Sequence, residues 1–358
     1  MKEIQNIDSK KHLEYIDFIR VIASLMVVAQ HVVGNYLNNG YADFSTYEKL
    51  ILISIWAISQ PAVPLFVMIT GVTMLNRNIP IKTLYNKYIK KLAISFIVFL
   101  IVYLIYKVHM DYTNNWITAD YIKNLPANLM QTAYHLWFYP MIIGLYMIVP
   151  LLSKVVEDGG ILKYIIKLVF VFLIVSTTID ALSLFNIIDL HIFVSEIRNF
   201  FPILIVFCIF GYYIENNTFK ITQKQKIWWI VASLLLFLFY MYILMYNSRS
   251  SSMFSAYSFR NTIYSLTICY TMFFMSKLYY TDAINKKIKA LVSSISKHTL
   301  GIYLVHLLFV NYFFNTFKFT VVNEFVTALV SIVIVYTISL LRGLMGKKLK
   351  FGYTRIFG

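Results

Sequence analysis

YIDFIRVIASLMVVAQHVVGNY, residues Tyr15 to Tyr36, is an apolar stretch of helical length that carries Asp17, Arg20 and His31. On an α-helix, the eleven steps from Arg20 to His31 make about three turns, so both side chains lie on one stripe about 16 Å apart. Ionisable groups at membrane depth are costly and usually mark a functional site inside a helix bundle. We therefore expect the stripe that carries Asp17, Arg20 and His31 to be part of a functional site. The alternative is that Asp17 and Arg20 lie at the cytoplasmic mouth and His31 is a packed interior histidine.

The composition is typical of a membrane protein. Of the 358 residues, 59% are hydrophobic and only 13% are charged, whereas soluble domains carry about a quarter charged residues. The two cysteines are too few for a disulfide framework or a zinc site. The net charge of +16 resides in short loops, so it is a topology signal and we expect no nucleic-acid partner. We predict an all-α, polytopic integral membrane helix bundle in the lipid bilayer.

Apolar runs of about 17 to 25 residues predict ten spanning helices. They lie at about 14–37, 51–75, 88–108, 134–153, 161–183, 199–215, 227–246, 260–280, 298–316 and 320–343. With the first residues assigned to the cytoplasm, 24 of the 32 basic residues fall on cytoplasmic loops and 7 on the opposite side. Positive residues stay inside, so both termini are expected to be cytoplasmic. Residues 1–358 should form a single transmembrane domain, with no separate extracytoplasmic domain.

Three further features of the sequence lie within these predicted spans. Pro61, Pro64 and Gly71 should break the second span, freeing backbone groups that need partners inside the protein. HLWFYP, residues 135–140, opens the fourth span, and GIYLVH, residues 301–306, opens the ninth. Aromatic residues at a membrane boundary are usually an interface belt. A histidine followed closely by Trp and Tyr is a more specific pattern than such a belt, so we interpret HLWFYP as part of a functional site.

Together these motifs resemble the membrane-bound acyltransferase 3 family, multispanning enzymes that move acyl groups onto cell-surface glycans and related acceptors. The opening motif here is Asp17, two residues, Arg20, ten residues and His31, followed in order by the HLWFYP and GIYLVH segments. The resemblance covers the whole chain. It implies acyl-CoA, with acetyl-CoA expected, as a donor substrate rather than a permanently bound cofactor.

The resemblance also implies roles for individual residues. The residues expected to be catalytic are His31, His306 and Tyr303. Those expected to bind the donor are Asp17, Arg20, Lys87, Lys90 and Lys91. Those expected to line the acceptor site are His135, Trp137 and Tyr139. The lysines share or adjoin one helical face and could clamp phosphates, although positive-inside topology alone would also put lysines there.

The expected reaction is transfer of an acyl group from cytoplasmic acyl-CoA to a hydroxyl of a glycan or lipid-linked sugar at the outer face of a bacterial cytoplasmic membrane. His31 is expected to act as general base, and a covalent acyl-histidine stays open. No metal is expected, because neither H-E-x-x-H nor a clustered ligand spacing occurs. The alternative is a transporter or flippase of a glycan, lipid-linked sugar or acyl intermediate, since broken helices and intramembrane charges suit one equally well.

The distribution of basic residues makes a direct prediction about topology. A cysteine introduced by Lys123→Cys should react with a membrane-impermeant maleimide added outside intact cells, whereas one introduced by Lys286→Cys should react only after permeabilisation. The native Cys208 and Cys269 lie in apolar runs and should give little background. The reverse labelling pattern would contradict cytoplasmic termini.

Overall fold

The computed structural model describes residues 13–40, 44–77, 79–113, 121–184, 203–216, 222–247, 263–280, 284–316 and 324–348. Within these ranges every regular element is helical and no strand occurs, which confirms the all-α prediction. The helices are α1 (Glu14–Gly40), α2 (Thr46–Ser59), α3 (Ala62–Thr70), α4 (Lys90–Thr113), α5 (Tyr121–Thr132), α6 (Phe138–Glu157), α7 (Gly159–Leu184), α8 (Ile203–Asn216), α9 (Gln223–Asn247), α10 (Ile263–Tyr279), α11 (Lys286–Ser296), α12 (Thr299–Thr316) and α13 (Glu324–Lys348). Shorter elements are the π-helical segments Gly71–Leu75 and Leu84–Ile89, the turn Ile81–Thr83 and the 3₁₀ turn Tyr134–Trp137.

Several of these helices have the length and composition of membrane spans. Among the described residues, five stretches qualify: Glu14–Asn38, Thr46–Leu75, Ile81–Thr113, Tyr134–Glu157 and Gln223–Tyr242. Three shorter helices are also apolar: Leu204–Asn216, Thr299–Tyr312 and Phe325–Leu341. The first residues of three predicted spans, 199–202, 260–262 and 320–323, lie outside the described residues.

Helix α1 lies at the centre of the bundle. It packs against α2, α3, α10, α11, α12 and α13. Its apolar residues Ala23, Val28, Val32 and Val33 are completely buried, because neighbours cover the helix on most sides. The polar stripe of α1 therefore faces other helices, as an intramembrane polar face must.

The second predicted span is broken, as its prolines predict. Helix α2 ends at Ser59 and α3 begins at Ala62, because Pro61 has no backbone N–H to continue the helix. At Gly71 the backbone widens into a π-helical segment, and both α3 and this segment pack against α8. A Cβ added to Gly71 would lie well inside 3.0 Å of the Cys208 carbonyl oxygen, and one added to Gly211 well inside 3.0 Å of the Met68 carbonyl oxygen. The two backbones thus touch directly, and only glycine fits on either side.

Polar contacts join several helix ends at one end of the bundle. At the start of α1, Glu14 pairs with Lys289 of α11 at 2.6 Å, and the Tyr15 hydroxyl donates to the Glu215 carboxylate at the end of α8. Lys277 of α10 pairs with the same carboxylate at 3.1 Å and donates to the Glu215 backbone carbonyl at 2.8 Å. The last carbonyls of α8 are thereby satisfied by a cation, as helix carboxyl ends prefer.

The glycine crossing predicts a position-specific effect on stability. Gly211→Ala should lower the free energy of unfolding by about 1–3 kcal/mol, because the new methyl group overpacks a backbone contact that cannot yield without separating two helices. Gly144→Ala is the matched control, since a Cβ there meets nothing within 4 Å. The melting temperature of purified protein in detergent should fall for the first variant and stay level for the second; equal melting temperatures would contradict the close crossing.

Candidate functional site

Three histidines from distant parts of the sequence come together inside the bundle. His31 lies on α1, His135 on the 3₁₀ turn before α6, and His306 on α12. The ring centroids of His31 and His306 are 5.1 Å apart, and those of His135 and His306 are 5.3 Å apart. His306 is 0% exposed and His135 is 1% exposed. We call His31, His135 and His306 the histidine cluster.

One hydrogen bond settles which nitrogen of His306 carries a proton. Nδ1 of His306 lies 2.6 Å from the backbone carbonyl oxygen of Tyr303, and a carbonyl can only accept. Nδ1 therefore holds the hydrogen. In the neutral ring, Nε2 is left as an acceptor, and it is buried without a hydrogen-bond partner among the described residues.

His31 is the most accessible member of the cluster and contacts a tyrosine that is not among the predicted site residues. Its Nδ1 lies 2.8 Å from the hydroxyl of Tyr134. Tyr134 is 47% exposed, so this pair forms the edge of the cluster. Tyr134 directly precedes the predicted site residue His135 in the chain. That adjacency was a signal in the sequence, but only the fold brings the hydroxyl to α1.

The hydroxyl of Tyr303 contacts the backbone of His135. The Tyr303 hydroxyl donates to the backbone carbonyl of His135. The Tyr303 backbone carbonyl accepts a hydrogen bond from Nδ1 of His306. The ring centroid of His135 lies 5.5 Å from that of Tyr303 and 5.0 Å from that of Tyr103.

The residues predicted to line the acceptor site differ in their exposure. Trp137 is 36% exposed. His135 and Tyr139 are buried, and Tyr139 stacks on Phe96 with ring centroids 5.7 Å apart. The segment thus contributes one exposed ring and two interior side chains, because successive residues on the 3₁₀ turn and α6 point in different directions.

A cavity of about 290 Å³ lies at the charged end of α1. Asp17, Arg20, Arg77 and Tyr88 are among the residues that line it. Arg20 donates to Asp17 at 3.3 Å, and Asp17 accepts from Ser296 of α11 at 2.8 Å. The aspartate therefore orients the arginine, and the arginine faces the cavity. We call this the lower cavity.

A second cavity of about 200 Å³ continues from the first. The two cavities share Arg20, Thr73 and Tyr146 as lining residues. Apart from these, the second is mostly apolar, and Phe138 and Tyr303 belong to its lining, with ring centroids 5.2 Å apart. We call this the upper cavity.

The upper cavity approaches the histidine cluster along two helices. Val27 on α1 and Tyr303 on α12 both line it, and His31 and His306 follow these residues by four and three positions. One helical turn rises about 5.4 Å. Both histidines therefore lie about one turn beyond the cavity, with Tyr303 between the cavity and the cluster.

Not all of the cations predicted to bind the donor line the cavities. Lys87 and Lys90 are exposed and Lys91 is half-buried, and within the described part of the chain none of the three lines either cavity. Lys87 lies over the ring of Tyr88 at 5.6 Å, which does line the lower cavity. Arg77, which is not among the residues predicted to bind the donor, lines that cavity too.

The residues that the structure describes form no metal site. No group of three or more His, Cys, Asp or Glu side chains there could hold a metal ion. The histidine cluster is therefore interpreted by its hydrogen bonds.

A family model described as an acyltransferase domain, of the acyltransferase 3 type, matches residues 13–341. The chain belongs to the acyltransferase 3 family. The match runs from the residue before α1 into α13 and so includes both cavities and the histidine cluster. No curated protein and no solved structure matches the chain. Membership in the acyltransferase 3 family confirms the resemblance carried by the three sequence motifs and makes the protein a membrane acyltransferase in general terms.

The cavity lining predicts which cations bind an anionic ligand. Arg20→Ala and Arg77→Ala should each weaken coenzyme A binding about 10- to 100-fold, because a charge-assisted hydrogen bond to phosphate contributes about 1.5–3 kcal/mol. The double variant Lys87→Ala, Lys90→Ala should change the affinity little. Isothermal titration calorimetry of purified protein measures all three. A loss confined to the lysine variant would favour the sequence-based assignment over the cavity.

Proposed function

We propose that this protein transfers an acetyl group from cytoplasmic acetyl-CoA to a hydroxyl of a glycan or lipid-linked sugar at the outer face of a bacterial cytoplasmic membrane. The observation that carries the proposal is the order of features along α1. Arg20 lines both cavities, Val27 lines the upper one, and His31 lies in the histidine cluster one turn beyond. A charged end, an apolar passage and a base thus follow one another.

The shape of coenzyme A fits this order. Its nucleotide end is polyanionic, its pantetheine arm is long and thin, and its thioester is at the tip. The lower cavity offers Arg20 and Arg77 to the phosphates, whose geometry suits the planar guanidinium. The upper cavity takes the arm between mostly apolar walls. The thioester then arrives at Phe138 and Tyr303, next to the histidines.

The chemistry needs one base close to the acceptor hydroxyl. His31 accepts the hydroxyl proton, the oxygen attacks the thioester carbonyl carbon, the carbon–sulfur bond breaks, and the proton passes to the sulfur of coenzyme A. The Tyr134 hydroxyl, 2.8 Å from Nδ1, orients the ring, and we assign the proton transfer to Nε2. Attack by His31 itself, through an acyl-histidine, is the second chemical route.

The acceptor approaches from the opposite side to the donor. Tyr134 and Trp137 present partly exposed rings beside the cluster. Aromatic rings offer flat apolar faces together with a polar edge, which suits a sugar ring with hydroxyls on its rim.

Together with this reaction scheme we infer ten membrane spans and cytoplasmic termini. Glu14, Glu215 and the lysines paired with them gather at the end of the bundle where the lower cavity opens near Asp17. The basic bias in the sequence assigns that end to the cytoplasm, where acyl-CoA is available. The tyrosine and tryptophan at the cluster edge then belong to the outer half.

His31 distinguishes an enzyme from a carrier. His31→Gln should lower acetyl transfer in purified protein about 10²- to 10⁴-fold, because the amide cannot take up a proton near pH 7. Coenzyme A affinity should be unchanged, since the phosphate contacts lie about 16 Å away along α1. Release of free thiol from acetyl-CoA, with and without acceptor glycan, measures the reaction. A transporter would release no thiol in either protein, and equal rates would contradict His31 as the base.

A further inference from the structure

In the described part of the chain, three ring nitrogens of the histidine cluster have no hydrogen-bond partner. Nδ1 and Nε2 of His135 and Nε2 of His306 are buried and have no hydrogen-bond partner among the described residues. The backbone carbonyl of Leu304 lies near the His135 ring and accepts a hydrogen bond from the Tyr103 hydroxyl at 3.2 Å. Buried polar groups are nearly always paired, so three such atoms in one place indicate a site for a polar ligand group.

These nitrogens differ in what they can offer. Neutral His306 carries its hydrogen on Nδ1, where the Tyr303 carbonyl accepts it, so its Nε2 can only accept. His135 carries at least one N–H in every tautomer and charge state. Among these three nitrogens, neutral His306 therefore supplies no donor, and His135 supplies one.

His135 adjoins two residues that line the upper cavity. Phe138 lines that cavity and follows His135 by three residues, about one helical turn. Tyr303 also lines it, and its hydroxyl is bound to the backbone of His135. A group that reaches the tip of the cavity thus meets two residues that both adjoin His135.

We propose that the His135 ring N–H is the hydrogen-bond donor that stabilises the oxyanion formed on the thioester carbonyl during acyl transfer. This inference rests on the proposed function and gives His135 a role other than acceptor binding. As the acceptor oxygen bonds to the carbonyl carbon, the carbonyl π electrons move onto its oxygen, and the N–H of His135 binds that negative charge. When the carbon–sulfur bond breaks, the electrons return and the donor keeps its hydrogen. A preorganised donor in a water-excluded site stabilises such a charge strongly.

Paired substitutions test the donor itself. His135→Phe removes the N–H at similar volume, and His135→Gln keeps an amide N–H. We expect kcat for acetyl transfer to fall about 10²- to 10³-fold in the first variant and to stay within about tenfold of the unaltered protein in the second. The KM for acetyl-CoA should change little in both. His109→Phe is the matched control, because His109 is an exposed histidine on α4.

A binding measurement separates this role from a structural one. Coenzyme A lacks the acyl carbonyl. The trifluoromethyl ketone analogue of acetyl-CoA has a carbonyl that adds a nucleophile, and the adduct imitates the tetrahedral oxyanion. In His135→Phe, the analogue should bind at least tenfold more weakly while coenzyme A binds unchanged. Equal loss for both ligands, together with a lower melting temperature in both variants, would overturn the proposal and make His135 a packing residue.

Two other outcomes also overturn it. If His135→Gln is as inactive as His135→Phe while both stay folded, an N–H donor is not what the reaction needs. If neither variant loses activity, the carbonyl does not approach His135. Failure of the proposed function has its own signature, since the unaltered protein would then transfer no acetyl group to any acceptor, and the oxyanion role would be overturned with it.

Discussion

The structure depends on the need to satisfy polar side chains at membrane depth without water. Helix α1 carries Asp17, Arg20, Ser24 and His31, and each finds a partner within the bundle. Asp17 binds Ser296 and Arg20, Ser24 contacts the Tyr336 hydroxyl at 2.9 Å, and His31 contacts Tyr134. A polar group without a hydrogen-bond partner in the hydrocarbon core destabilises the protein by roughly several kcal/mol. The partners come from different helices, so this requirement puts α1 at the centre.

The close crossing of two backbones has a related consequence for the cavities. The π-helical segment after Gly71 contacts α8 directly, which removes side-chain volume on that side. Val72 and Thr73 of the same segment line the lower cavity. Local widening of a helix is common at functional sites, and here it accompanies the passage next to Arg20. The broken second span thus contributes both to packing and to the cavity wall.

The members of the histidine cluster differ in how the surrounding protein orients and binds them. His306 is oriented by a carbonyl one turn earlier on its own helix, and His31 by a hydroxyl from another element. His135 packs against tyrosine rings, and its two ring nitrogens have no hydrogen-bond partner among the residues that the structure describes. Leaving a buried donor unpaired costs about 1–3 kcal/mol, and such a cost persists in a protein when a ligand group satisfies the donor during function.

Local pattern determined much of this protein. Hydrophobic runs, the Pro61 break and the stripe joining Arg20 to His31 are visible in sequence because helical periodicity and proline geometry act over a few residues. The acyltransferase 3 motifs are likewise local strings, and they indicated the family that the match over residues 13–341 confirms.

Only the tertiary structure decided which side chains meet. The contacts of His31 with Tyr134, of Tyr303 with the His135 carbonyl, and of Arg20 with the lower cavity join elements far apart in the chain. Arg77 enters the cavity while Lys87 does not line it, and charge count or spacing cannot separate them because both lie in one basic segment. Which face of a helix meets which neighbour follows from packing of the whole bundle, and that information is not contained in any single stretch.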